Sequence, residues 1–509
     1  MKSTKLIAVL AAVCIVSGCS QNRWQARRGP TVDGYQPPQR LAGAESLPPN
    51  QQIEAALQLT AVASDADATP YISLVSATEN EVQTGSEAAV LTDSAVPIAD
   101  SAGVKVGMSL SEFESLAFAH NPAIRELAAT TQKAAGYRTQ VSLRPNPTIG
   151  YAAQQLADRN TDQHIAFVEQ EFVTAGKLEL NRCVLNETLR AQLMELEAQK
   201  LRVATDVRVQ FYAALAAQKR IELIEDFESV VDKGVEVAEL RVKAAEGSKL
   251  EVLQATIQKN EIDLALQQAS VRFAAAWRRL IALTGTPYIE PSTLIGELPV
   301  ETQTQDWSLV KSTIVSSSPE YNAAQTRVSR ARAQLQRHGV QAVPNLTFQL
   351  GAGVDNGTNN GMLNFQVSAP VPVFNGNEGN IAAARAEFCR AALEVQRVEK
   401  SIEARLAEVS GDYDAALAAV DKYVSHILPN ANESLKLAEL AYEAGETSFV
   451  QVLVARRTYF DSNLQLIAAQ TRLAQAKSIV DGFVLTGGLD PVVDNSGDDS
   501  LRGLTFGQQ

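Results

Sequence analysis

The sequence has little of what most enzymes and metal proteins need. Its 509 residues hold four cysteines, four histidines and three tryptophans, and aromatic residues make up only 6%. His120, His164, His338 and His426 lie far apart, and each reads as a solvated or locally satisfied side chain rather than a ligand. No glycine-rich phosphate loop follows a strand and opens a helix with Lys-Ser/Thr. No basic run occurs after the first 30 residues and the net charge is −13, which excludes nucleic acid as a partner. No catalytic, metal or cofactor constellation emerges. Cys183 and Cys389, the cysteines beyond the N-terminal region, sit among apolar neighbours and are expected to be buried small hydrophobes.

One further absence shapes the chain. From Lys177 to Lys233 there is neither glycine nor proline. Leu185, Leu189, Leu193, Leu196, Val203, Val207 and Phe211 recur in steps of three and four, one stripe of a helix. The pattern runs to about Glu246, and roughly 70 helical residues span on the order of 100 Å. Ala244-Ala245-Glu246-Gly247-Ser248 breaks it, and a second helix begins at Leu250. Such a rod is too long for the core of an ordinary domain.

The N-terminus carries an address. Met1–Lys5 is basic, and Leu6–Val16 is apolar but too short to span a bilayer. Val16-Ser17-Gly18-Cys19 resembles the lipobox of bacterial lipoproteins, which implies a signal peptide over 1–18 and acylation, with palmitate among the chains, at Cys19. Residues 19–108, rich in Pro, Ser, Thr and Ala, read as a flexible linker.

Beyond it the chain repeats, with an offset of about 200 residues. Asn121-Pro122 answers to Ser318-Pro319, Pro145-Asn146 to Pro344-Asn345, and Gly176-Lys177 to Gly376-Asn377. Val252-Leu253 answers to Val452-Leu453, and Leu283-Thr284-Gly285 to Leu485-Thr486-Gly487. The two repeats are placed at 109–300 and 301–489, followed by a disordered tail at 490–509. Each repeat reads as helix, two strands, long helix, turn, helix. Strands are expected at about 147–157 and 163–173, and at about 345–354 and 362–373. In the second pair, Leu346, Phe348, Leu350, Ala352 and Val354 alternate with Thr, Gln and Gly, the pattern of lipid outside and water inside. Four strands cannot close a barrel, and open edges are not tolerated in lipid, so several copies must contribute. Pro370 and Pro372 are expected past the last ladder bond, and Pro429 is expected to kink or interrupt the second rod. The Glu- and Arg-rich stretch Glu394–Arg405 reads as a solvated helix face.

A tandem repeat of helix, β-hairpin and long helical hairpin behind a lipobox resembles the TolC-like outer-membrane efflux family. The resemblance covers about residues 109–489 and is most specific in two turns, Ala245–Ala255 and Tyr442–Ala455. It implies a mainly α fold with a small membrane β part. Long helical hairpins would form a trimeric helical barrel beneath a 12-stranded transmembrane β-barrel, with four strands from each protomer. The implied function is a passive exit duct in the outer membrane. The implied partners are two further copies of the chain (a homotrimer), a periplasmic adaptor, an inner-membrane pump, preferably RND-type, and outer-membrane lipid. The tip and gate residues would be Gly247, Ser248, Leu250, Glu251, Val252 and Leu253 in the first turn. In the second they would be Gly445, Thr447, Phe449, Gln451, Val452 and Leu453. The glycines are expected to permit the tight backbone, with the first turn two residues shorter than the second. Where relatives carry aspartates this chain has Gln451 and Val454, which leaves Glu251 to supply any acidic ring. Type I protein secretion shares the fold. A structural coiled-coil lipoprotein would leave the alternating hairpins unexplained, and an anchored hydrolase lacks a site.

Overall fold

The computed structural model describes residues 107–156, 161–245, 247–300 and 304–496. The signal peptide, the lipidation candidate Cys19, nearly all of the linker, Glu246 and the tail after residue 496 lie outside the described residues.

The first half opens with β1 (Met108–Ser109), α1 (Leu110–His120) and α2 (Pro122–Gln140). Asn121 separates the two helices. Its Oδ1 accepts from the Ala123 and Ile124 amides, and Pro122 occupies the first helical position, where its missing N–H costs nothing. Ser318-Pro319 repeats the device between α5 (Trp307–Ser317) and α6 (Pro319–Gly339). The remaining helices are α3 (Lys177–Lys243), α4 (Lys249–Thr284), α7 (Glu378–Lys422), α8 (Leu428–Glu443) and α9 (Phe449–Asp481). α3 is 67 residues, about 100 Å at the usual rise. The 11, 19 and 36 residues of α1, α2 and α4 nearly match it when stacked end to end. All seven residues of the α3 stripe are buried.

Pro429 does not break the second rod. A π turn at Tyr423–Ile427 links α7 to α8, and the Leu428 amide bonds back to the Tyr423 carbonyl. The wider turn shifts the ladder where the proline cannot donate, so the helix continues.

The four long strands are β2 (Thr148–Gln154), β3 (Gln163–Phe172), β5 (Leu346–Asp355) and β6 (Asn360–Ser368). They form one antiparallel sheet in the order β2-β3-β5-β6. The two hairpins thus join through β3 and β5, which pair from Gln163↔Asp355 to Phe172↔Leu346. β6 stops at Ser368, so Pro370 and Pro372 fall beyond the ladder.

A small parallel pair was not legible in the sequence: β1 lies against β4 (Leu294–Ile295). This pair and α1 strap one face of α3. Phe113, Phe211, Leu215, Trp277 and Leu294 share one core there. Gln218 holds Leu294 by both backbone groups, accepting from its amide at 2.8 Å and donating to its carbonyl at 3.3 Å. No described helix is long and apolar enough to cross a membrane.

Two expectations are corrected. Cys183 and Cys389 are exposed, because each falls beside the apolar stripe of its helix rather than on it. Nor is Glu394–Arg405 simply a solvated face. Glu394 accepts from Arg327 on α6 at 2.9 Å, and Arg405 donates to Glu320 at 2.5 Å, so α7 uses these charges to hold α6.

The C-terminal turn is fixed to α3 by Asp206, whose carboxylate accepts from the Gly487 and Gly488 amides at 3.1 and 2.7 Å. Burial pushes this carboxyl up, which outweighs the two amide bonds that pull it down. The folded state therefore binds the proton more tightly than the unfolded chain, and stability should rise as pH falls through the raised value. Asp206→Asn, which keeps an oxygen acceptor without charge, is expected to leave stability within about 0.5 kcal/mol and abolish that pH dependence. Asp206→Ala should cost about 1–3 kcal/mol, because two amides lose their acceptor. Thermal unfolding of the two variants at several pH values checks this.

Candidate functional site: a β-sheet, its junction and a helical tip

Three regions bear on function: the sheet, the junction beneath it and the far end of the helices. In the sheet, directly paired residues point to the same side. One side carries Ile149, Val168, Phe172, Leu346, Leu350, Val354, Leu363 and Phe365, all exposed, with Ile149 at 80% and Leu363 at 83%. Tyr151 shares that side and bonds His164, which bonds Asp162 at 2.6 Å, so a polar trio marks its loop end. An aromatic with a polar tip at that level suits a membrane interface.

The opposite side carries Glu169, Glu171, Gln349, Asn364 and Gln366. It is not wholly polar. Ile165 and Phe167 lie there over glycine hollows, where a Cβ at Gly150 would sit 2.3 Å from the Phe167 ring and one at Gly351 2.7 Å from Ile165. The glycines in these strands thus make room for two large side chains from β3. Among the described residues, β2 and β6 are unpaired edges.

At the junction, chain and helices are tied by a knot of amides and cations. Lys177, 2% exposed, donates to the Val343 carbonyl at 2.5 Å and to Asn345 Oδ1 at 2.9 Å, and Asn345 donates to Glu171 at 2.7 Å. Arg337, also 2% exposed, donates to Asn181 and Gln341 at 2.5 and 2.6 Å. Burial alone brings its guanidinium down to about 10. Burial likewise lowers Lys177, with Arg337 adding repulsion. The α3 rod enters the knot through Gly176 at φ +65°, whereas the second rod enters through Asn377 at φ +62° and not through Gly376.

At the tip, the glycine expectation is corrected. Gly445 does take the left-handed conformation at φ +75°, but in the first turn that position belongs to Ala245 at φ +61°. Ala245 corresponds to Gly445 and Ser248 to Ser448, so the two turns have equal length and the apparent two-residue gap came from pairing the wrong glycines. Gly247 serves a different need. A Cβ there would lie 2.9 Å from Arg241 Cβ and 3.1 Å from its carbonyl carbon, and its amide caps the Arg241 carbonyl at 3.0 Å. It is required for close approach rather than for φ.

The remaining tip residues divide by environment. Ser248 caps α4 by accepting from Leu250 N at 3.1 Å. Thr447 bonds Gln451. Phe449 is buried with Ala238 and Ala255 in a core against which Val252, Tyr442 and Leu453 pack, and Val452 is buried as well. That core joins the α3–α4 hairpin to the α8–α9 hairpin. Leu250 and Leu253 stay exposed, as do Leu240, Leu437 and Leu440. Glu251 is turned toward Arg241, with 4.0 Å between charged atoms, and only 24% of its side chain is exposed.

Arg241 and Tyr442 were not singled out from the sequence. Arg241 Nη1 donates to Tyr442 Oη, and the guanidinium lies 5.4 Å from the ring centroid. A basic residue and a tyrosine just before the two turns were visible, but no spacing rule pairs side chains 201 positions apart.

The profile of the Outer membrane efflux protein family matches residues 311–479, from α5 through α9. The cobalt-zinc-cadmium resistance protein CzcC of Cupriavidus metallidurans is 25% identical over 283 residues, covering 55% of this chain and 68% of CzcC. Over residues 311–479 the chain is therefore similar to the outer membrane efflux protein family. The toluene efflux pump outer membrane protein TtgI of Pseudomonas putida is 26% identical over 343 residues, 62% of this chain and 70% of TtgI. Among solved structures, CusC superposes with a TM-score of 0.62 at 16% identity, over 75% of this chain and 93% of that one. The open state of the MtrE channel of Neisseria gonorrhoeae gives 0.61 at 16%, over 74% and 89%. These channels share the fold described above, a long helical body with a small β part.

Proposed function

We propose that this chain is the outer-membrane exit duct of a tripartite pump, assembled from three copies. The observation that carries the reading is the sheet: four strands, an exposed apolar side, a more polar side, and two open edges above helices about 100 Å long. In lipid an open edge leaves backbone donors and acceptors without partners, so β6 of one copy must pair with β2 of the next. Two copies would give eight strands and a filled interior, whereas three give twelve and leave a water-filled lumen. The apolar side then faces lipid, and the rods reach down through the periplasm. Cys19 would supply a lipid tether beside the barrel. The curated relatives are named for metal resistance and solvent efflux, and cargo choice falls to the inner-membrane pump and the adaptor.

The tip residues fit a gate that docking opens. The core around Phe449 and the Arg241–Tyr442 bond hold two hairpins together, and a duct can widen at its tip only if these contacts loosen. The exposed leucines of the turns, Leu250 and Leu253 with Leu240 and Leu440, provide the apolar surface an adaptor's hairpins would cover. Because Arg241 sits against Glu251, the tip would present less free negative charge than an aspartate ring.

Single-channel recording in planar bilayers tests the reading. The purified trimer should conduct, and a folded trimer without conductance, even with its adaptor, would overturn the duct. Arg241→Ala removes a charge-assisted hydrogen bond worth about 1.5 kcal/mol, so the open population should rise about tenfold. Tyr442→Phe keeps the ring and should give a smaller rise.

A further inference from the structure

On the duct reading, the structure assigns an anion-binding station to the lumen wall at mid-height of the helical barrel, built by Arg220, Arg272 and Arg472. We infer that it takes small multivalent oxyanions or carboxylates.

The station is a cavity of about 350 Å³ between α3, α4 and α9. Its floor is alanine, including Ala213, Ala217 and Ala468, and its charged lining consists of the three arginines with no carboxylate. Small floor residues leave the space open, and arginine from each of three helices converges on it. Nothing neutralises them: among the described residues, none of the three forms an ion pair or donates a hydrogen bond to a carboxylate. Arg220 is half-buried, and its Nε has no partner among the described residues. Burial lowers its guanidinium, and Arg272 adds repulsion. Like charges held together around an open space, with a desolvated donor left over, are arranged to bind an anion rather than to stabilise the fold.

The strap places this cavity inside the duct. β1, β4 and α1 cover the face of α3 that carries Phe211, Leu215 and Gln218. A second cavity, between Glu114, Arg208, Tyr212 and Pro299, lies on that same covered face and reaches Ala474 and Ser478 on α9. At about 100° per residue, Ala213, Ala217 and Arg220 lie roughly half a turn away on α3, and on α9 Arg472 lies about 160° from Ala474 and about 120° from Ser478. The arginine cavity is therefore on the uncovered face of the same helix layer. A strap wound inside would plug the tunnel, so the covered face is the outside and the uncovered face lines the lumen. Three protomers would repeat the station around the axis, forming a positive belt that attracts anionic cargo from the tip.

The test is block of the purified trimer's single-channel current by benzene-1,3,5-tricarboxylate, for the unaltered chain and for R220Q/R272Q/R472Q. The half-blocking concentration should rise about tenfold in the triple variant, as expected for losing three partly screened charges, while conductance in KCl persists. R220K/R272K/R472K should keep most of the block. R272Q/R472Q, which leaves half-buried Arg220 in place, should give about a threefold rise and guards against misfolding of the triple variant. Equal block in all four proteins would overturn the station and leave the duct intact. If no protein conducts, the duct reading fails, and calorimetric titration of the same anion into the trimer decides the station alone: arginine-dependent binding supports it, and none overturns it.

Discussion

Truncation of Trp277 to alanine is expected to destabilise the helical body by about 3–5 kcal/mol, the usual cost of emptying a large aromatic site. Trp277 on α4 is fully buried. Its ring meets Phe113 edge-on at 5.7 Å between centroids and Phe273 at 6.1 Å, so α1 and α4 depend on one another through it. Its Nε1 donates to the Ile289 carbonyl at 2.9 Å, which fixes the segment leading to β4. The alanine variant therefore loses packing and a hydrogen bond at the point where the strap leaves α4. Trp277→Phe should cost less, about 1–2 kcal/mol, because it keeps most of the volume and forfeits mainly the bond to Ile289. Denaturant unfolding followed by helical circular dichroism should show the ordering unaltered, Phe, Ala. An alanine variant with an unchanged midpoint would mean that the strap contributes nothing to the body's stability.

Arg327→Met is expected to cost about 3 kcal/mol, through charge rather than volume. Arg327 on α6 bonds Glu195 on α3 and, at 2.9 Å, Glu394 on α7, joining the first repeat to the second. All three side chains are no more than 20% exposed. Without the guanidinium, two carboxylates face each other in a partly desolvated site. Arg390, 3.1 Å from Glu394, compensates only one of them. Glu195→Gln added to the methionine variant should recover more than half of the loss, whereas the same substitution in the unaltered chain should destabilise. If the double variant is no better than the single one, the cost lies in packing and the electrostatic account fails.

Much of the architecture was legible because it is written in periods. The α3 stripe from Leu185 to Phe211 repeats at helical spacing, and the β5 run from Leu346 to Val354 alternates at strand spacing. Both patterns are local consequences of backbone geometry, so they need no knowledge of neighbours. The turns were visible as breaks but their mechanics were not. Gly247 and Gly445 looked equivalent as letters, yet one answers a steric approach to Arg241 and the other a left-handed φ that Ala245 supplies in the first turn. Charge was the least legible feature. Glu394 and Arg405 fall on a periodic polar face, and only the approach of α6 turns them from solvated groups into cross-links.

The sequence by itself determined the tandem repeat, the long helices, the hairpins with their alternating faces and the stops between them. These depend on residues within a few positions of one another, where propensity, period and capping act. Tertiary structure alone decided the β3–β5 pairing that merges the hairpins, the strap of β1 against β4, the Arg241–Tyr442 bond and the convergence of Arg220, Arg272 and Arg472. Each joins side chains or strands tens to hundreds of positions apart. Their meeting is fixed by how the long helices pack side by side, a property no local pattern encodes.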